Sequence, residues 1–320
     1  MKRRANRKLS KEKTIKKDWK ESLRQVPRSW QLYVLMVPAL IWLILFAYYP
    51  MYGLIIAFKD FKPRLGILGS PWATPILKHF ETFFSTSIAL TAIKNTLLIS
   101  LESLVIAFPI PIIFALLLNQ IKRSGPRKVI QTISYAPYFM SNVVVVSIIS
   151  VLFSATGLVN HLIADAGGKT VLFTSAPEWF RTLFIGSNIW QTMGFNAIIF
   201  IAALVGISPD YYEAAIIDGA SRFQRVLYID LPLIMPTIVL MFILTIGNIM
   251  NVGYEKAFLM QVGSNSVVSE LISTYVYKVG LKSAQYSFAT AVGLFNSAAN
   301  FIVLVIANKI AKKTSDISIF

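Results

Sequence analysis

The 320-residue chain has no cysteine and only two histidines. Without cysteine it forms no disulfide, no iron–sulfur cluster and no cysteine zinc site. Charge is scarce as well. Asp, Glu, Lys and Arg make up 14 % of the residues, and hydrophobic residues 55 %. Soluble domains run near a quarter charged, so this is not an ordinary soluble protein. Acids are the scarcer sign: 15 Asp and Glu against 31 Lys and Arg give a formal net charge of +16. In a soluble chain that excess points to nucleic acid. In a membrane chain it reports topology.

What is present is a set of long stretches without charge. Residues 29–58, 129–164, 182–209, 231–254 and 283–308 contain no Asp, Glu, Lys or Arg, and residues 95–121 contain only Glu102. About 20 apolar residues in a helix cross a hydrocarbon core of about 30 Å. Isolated segments in lipid must be helical to satisfy their own backbone. The expected fold is therefore an all-α, polytopic membrane protein with six transmembrane helices, near 30–58, 95–119, 129–154, 183–206, 231–252 and 285–308. The first stretch is too long for a signal peptide and follows a basic tail over 1–29. A Pro- and Gly-punctuated segment over 59–93 (Pro63, Gly66, Gly69, Pro71, Pro75) reads as an irregular outer loop.

Lys and Arg set the orientation. With both termini inside, 21 fall on the inner side and 10 on the outer, 12 of them in the first 28 residues. The expectation is cytoplasmic termini, including the tail over 310–320. The basic tail holds nothing aromatic or Gly-rich that would suit nucleic acid, so no nucleic-acid partner is expected. It suits an anionic lipid surface.

Catalytic chemistry is missing. Gly168-Lys169-Thr170 looks like the end of a phosphate loop, but the glycine that motif needs five positions earlier is Ile163. Two isolated histidines offer no metal site, and none is expected. Glu102 is the lone acid within a span. Such groups are functional candidates, although Lys94 nearby makes a helix-pairing role equally good.

The loop over 207–230 is the informative stretch. Ser208 suits an N-cap, Pro209 a first helical position, and Asp210 a helix N-terminus. A short helix follows through Ile217, Gly219 permits a turn, and a second short basic helix is expected from Ala220 to Tyr228 before Pro232 opens the fifth span. Ala215, Ile216 and Phe223 would be exposed apolar groups on an inner loop, which suits a protein partner.

Glu213-Ala214-Ala215, then Gly219, then Ile229-Asp230-Leu231-Pro232 matches at every fixed position the EAA loop of ABC importer permeases. Ala136-Pro137-Tyr138-Phe139, Gly157-Leu158-Val159-Asn160 and Tyr49-Pro50-Met51-Tyr52-Gly53 resemble the sugar branch, the maltose-transporter-like and LplB-type permeases. The likeness runs from about Trp30 to Lys312. It implies a type I ABC importer transmembrane domain, with a permease core over 94–309, in a bacterial cytoplasmic membrane. It further implies a second homologous permease subunit, two ATP-binding subunits that hold ATP and Mg, and an extracytoplasmic solute-binding protein. No cofactor and no enzymatic activity are expected in this chain. By the same likeness, Glu213, Ala214, Ala215, Asp218, Gly219, Arg222 and Phe223 form the coupling surface for the ATPase.

A sugar path needs amides, hydroxyls and aromatic faces. Asn188, Gln191, Thr192 and Phe195 recur at helical spacing in the fourth span, and Thr245, Asn248 and Asn251 stand in the fifth. Amides in lipid must face the interior, where they bind solute or join helices. Asn296 and Asn300, and the small stripe Ala289, Gly293 and Ser297, suit helix packing. The solute expected is a carbohydrate, most simply an oligosaccharide. Lys256, Lys278 and Lys282 at the outer mouth leave room for an acidic sugar. The rival readings are a permease for another solute and an ion-coupled carrier; the latter would need more intramembrane carboxylates than Glu102.

Overall fold

The structure is a computed structural model that describes residues 30–315. The expected basic tail over 1–29 and residues 316–320 lie outside the described residues. Among the described residues every named element is helical, apart from one bridge between Lys59 and Trp72.

The chain divides into a short unit ending at Ile55 and a large one beginning at Ile56. Helix α1 (Trp30–Phe58) carries the chain out of the short unit and is long and apolar enough to cross a membrane. It contains Pro38 and a π turn at Ile44–Tyr48.

In the large unit, α2 (Ser87–Asn119) is the second apolar span. It begins earlier than the charge pattern suggests because Lys94 lies within the helix rather than ending it. A π turn over Ser103–Ala107 stands directly before Pro109. The Phe108 N–H reaches Ser103 O at 3.2 Å, so the ladder slips by one residue just where proline removes a donor. The segment expected to be an irregular loop holds a helix over Lys78–Ser85.

The span expected over 129–154 is not one straight helix. Helices α3 (Ser124–Phe139) and α4 (Asn142–Leu152) meet at 101°. Pro137 lies in a 3₁₀ turn, and the Ser141 hydroxyl accepts the Val144 N–H at 3.4 Å to start a new helix. Among the described residues five helices are each long and apolar enough to span, and the number is six where the bent pair is counted as one span.

Helix α5 (Pro177–Val205) is the longest uninterrupted span of the core that precedes the inner loop. Next come α6 (Pro209–Ile217) and α7 (Arg222–Gly247). The separate second short helix expected before Pro232 is not found. Arg222–Arg225 runs through a π turn at Val226–Asp230 straight into the fifth span. Again the π turn precedes a proline, and the Leu231 N–H bonds Val226 O. The fifth span also ends at Gly247, not near 252. Helix α8 (Tyr254–Met260) and α9 (Tyr286–Ser315) complete the order.

Two apolar clusters hold α2, α5 and their neighbours together. One contains Ile112, Ala115, Ala197, Phe200, Leu204 and Ile234. The other contains Ile99, Phe180, Phe184, Ile185, Ala257 and Leu271. Along α5 the polar residues 188–196 fall between them. Glu102 of α2 pairs with Arg181 Nη1 of α5 at 2.9 Å, which gives this lone acid a helix-pairing role.

Candidate functional site

The EAA loop is built as a rigid bracket. The Ser208 hydroxyl caps α6 by accepting the Asp210 N–H at 3.4 Å. Gly219 has φ +75°, a left-handed conformation that side chains resist. A capping box then starts α7: Ser221 Oγ accepts the Gln224 N–H, and Gln224 Oε1 accepts the Ser221 N–H at 2.7 Å. Behind the bracket, fully buried Asp230 accepts from the Tyr212 hydroxyl at 2.5 Å and from Gln120 Nε2 at 3.1 Å. Burial, then the bond to Asp230, pushes the Tyr212 phenol up to about 12.

The face that this bracket presents is apolar and bare. Ile217 is 86 % exposed and Phe223 74 %. Glu213, Ala214, Asp218, Gly219 and Arg222 are exposed beside them, while Ala215 is half-buried. Sequence reasoning named Ile216 and Phe223 but not Ile217, whose exposure depends on where the helix stops.

A cavity of about 520 Å³ lies in the large unit among α2, α5, the end of α7 and α8. Asn188, Gln191, Thr192, Thr245, Asn248 and Asn251 all line it. Phe195 does not. Its ring stacks on Tyr138 with centroids 3.8 Å apart and planes 4° from parallel, and Tyr138 forms the wall in its place. The backbone break at α3–α4 brings that ring inward, which no spacing within α5 reveals.

The wall residues are held by neighbours. Gln191 Nε2 donates to Met140 O at 3.1 Å, at the break between α3 and α4. Thr192 and Thr245 hydroxyls return to carbonyls of their own helices at 2.8 Å. Beyond Gly247 the chain unwinds, and the Asn251 N–H bonds Asn248 O at 2.9 Å in a turn. Asn248 and Asn251 are therefore neighbours on a turn, not on a helix face. Asn296 Nδ2 reaches Asn251 Oδ1 at 2.9 Å, and Asn300 Oδ1 accepts the Met250 N–H at 2.9 Å. The side-chain amide of Asn188 lines the wall and is engaged by no described residue.

Several wall residues lie outside the group that sequence reasoning assigned to the sugar path, among them Tyr138, Asn142 and Lys256. Tyr138 comes from the resemblance motif around Pro137, Asn142 from the start of α4, and Lys256 from α8. Lys256 was visible as a cation near the outer mouth. Its burial, 3 % exposed, was not. Burial pushes its ammonium down to about 8. No group of three or more His, Cys, Asp or Glu among the described residues is placed to hold a metal.

Residues 107–316 match the family described as "Binding-protein-dependent transport system inner membrane component". The chain belongs to that family.

This permease is 43 % identical over 290 residues to the polygalacturonan/rhamnogalacturonan transport system permease protein YteP of Bacillus subtilis, covering 90 % of each chain. It is 41 % identical over 290 residues to the protein LplB of Bacillus subtilis, covering 90 % of this chain and 91 % of that one. It superposes with a TM-score of 0.84, at 38 % identity, on a chain of a bacterial ABC transporter involved in the import of the acidic polysaccharide alginate. That match covers 91 % of this permease and 98 % of the alginate chain. A second structure, the alginate transporter in complex with an alginate pentasaccharide-bound periplasmic protein, gives a TM-score of 0.84 at 37 % identity. The permease thus has the fold of an ABC importer's membrane subunit, as its EAA loop implies.

Proposed function

We propose that this permease forms the membrane-spanning path of an ATP-driven importer for a carbohydrate, an oligosaccharide by the likeness of its relatives. The observation that carries the reading is the cavity. Asn188, Asn196, Asn248 and Asn251 and the aromatic residues Tyr138, Phe184 and Phe200 line it. Planar donors and acceptors beside aromatic rings suit hydroxyl-rich rings.

The power source lies in other subunits. Of two ATPases holding ATP and Mg, one docks on the bare face around Ile217 and Phe223, and the bracket of α6 and α7 passes its motion to the spans. A second permease completes the pathway, and an extracytoplasmic binding protein delivers the sugar. The assembly sits in the bacterial inner membrane with both termini in the cytoplasm, as the excess of basic residues on that side directs. Alternating access follows, because the loop is tied to α2 and α7 at once and moves both.

The test is uptake by the full importer in proteoliposomes. Transport of labelled oligosaccharide that requires ATP, and that Gly219→Pro uncouples from ATP hydrolysis, fits the reading. Substrate-stimulated hydrolysis unchanged by Gly219→Pro removes the coupling role. Unchanged transport of every accepted sugar after alanine at both Asn188 and Asn248 places the pocket elsewhere.

A further inference from the structure

The cavity contains one group that a neutral sugar does not need. Lys256 lies on its wall, buried, and pairs with no carboxylate among the described residues. Its Nζ donates to Gln191 Oε1 at 3.3 Å, which leaves further N–H donors unused. Gln191 in turn is anchored through its Nε2 to Met140 O, so the ammonium rests on a fixed acceptor. The adjacent acid, Glu255, forms no ion pair with Lys256 and accepts from Asn142 Nδ2 of the wall at 2.6 Å. The next acid along the chain, Glu270, is taken by Lys278 Nζ at 2.5 Å. Both carboxylates near enough in sequence to serve Lys256 are therefore engaged elsewhere.

Lysine is almost never buried without a counter-charge, and a buried cation costs stability unless it is paired. Burial alone holds the ammonium below its ordinary range. A site that keeps such a group at its wall is arranged for an anion that arrives and leaves.

The geometry points to Lys256 as the residue that selects an acidic saccharide, by pairing its ammonium with the carboxylate of a uronate ring held among the cavity amides. This rests on the reading of the permease as a carbohydrate importer and narrows it to a charge class. The same pairing must be weak enough to release the solute. Gln191 provides for this, since it takes the ammonium back when the carboxylate departs.

The test uses the purified full importer without its binding protein, so that only the membrane cavity selects. A trisaccharide of galacturonate and its carboxyl-reduced, neutral counterpart are titrated by saturation-transfer NMR. The expected result is about tenfold tighter binding of the acidic trisaccharide, lost in Lys256→Met and kept in Lys256→Arg. Equal affinities in the unmodified importer overturn the proposal whether or not any variant folds, and so does an acid preference that survives Lys256→Met. Loss of subunit assembly in Lys256→Met, with assembly kept in Lys256→Arg, also overturns it, by making Lys256 a subunit contact. Binding of the neutral trisaccharide alone refutes only the charge selection. Binding of neither saccharide, together with no ATP-dependent uptake of either once the binding protein is added back, removes the carbohydrate reading too.

Discussion

The Tyr212 hydroxyl donates to Asp230 Oδ1 at 2.5 Å, which fastens the EAA helix to the start of the fifth span. Gln120 Nε2, at the end of the second span, donates to the other oxygen of the same carboxylate at 3.1 Å. One buried acid thus joins the loop to two membrane helices. Tyr212→Phe removes the link while Gln120 still serves the carboxylate. A hydrogen bond to a charged group contributes about 1.5–3 kcal/mol, so the bracket loosens without unfolding. The expected outcome is a several-fold fall in sugar transported per ATP hydrolysed, with assembly intact. The phenol, pushed up to about 12, stays protonated at neutral and mildly alkaline pH. Tyr212 accordingly adds no pH dependence to the coupling ratio through that range.

Two glycines fail for different reasons when replaced by alanine. At Gly194 of α5 a Cβ would run into the backbone carbonyl of Ser134 in α3. Neither backbone can give, so the helices separate at a cost of about 1–3 kcal/mol. At Gly219 a Cβ meets nothing within 4 Å, and the cost is the left-handed φ of +75° alone, about 1–2 kcal/mol. Fluorescence-detected thermal denaturation of the complex checks both. The expected result is a lower melting temperature for both, with Gly219→Ala alone also losing substrate-stimulated ATP hydrolysis.

The pair Glu102–Arg181 joins the second and fourth spans at 2.9 Å, with both side chains about one-third exposed. Exposed pairs contribute about 0–1 kcal/mol. Glu102→Gln and Arg181→Met each leave one charge without its partner, so each single variant is less stable than the double. A double-mutant cycle on thermal stability measures this. Independent, additive losses would show that the two charges act separately.

The unwound end of the fifth span depends on the sixth. Asn300 Oδ1 accepts the buried Met250 N–H at 2.9 Å. Asn300→Leu orphans that amide and costs about 1–3 kcal/mol. Asn296→Leu is milder, because Asn296 Oδ1 already lacks a partner among the described residues and only the bond to Asn251 is lost. Melting temperatures of the two variants, compared in one detergent, decide the order.

Much of this protein was legible in its sequence. Charge-free runs mark the spans because a charge in lipid is costly wherever it stands, so its absence is a local signal. The EAA loop is equally local: Ser208, Pro209, Gly219 and Pro232 act on their own backbone or on residues a turn away. The sequence also singled out Asn188, Gln191 and Thr192 in the fourth span and Thr245, Asn248 and Asn251 in the fifth, since the cost of buried amides needs no tertiary knowledge. Their meeting at one cavity is seen only in the fold.

Three things were decided only in the folded chain. The third span breaks between Phe139 and Asn142 and carries Tyr138 onto the wall in place of Phe195, because ring stacking between two helices outweighs the spacing within one. The start of the fifth span fuses with the expected second short helix, because a π turn absorbs Pro232. Lys256 becomes a buried cation with no carboxylate partner among the described residues, because the acids nearest it in the chain, Glu255 and Glu270, engage Asn142 and Lys278. Periodicity reports which face a residue occupies. Which partner reaches it across the bundle depends on contacts between residues far apart in the chain, and those exist only once the helices have packed.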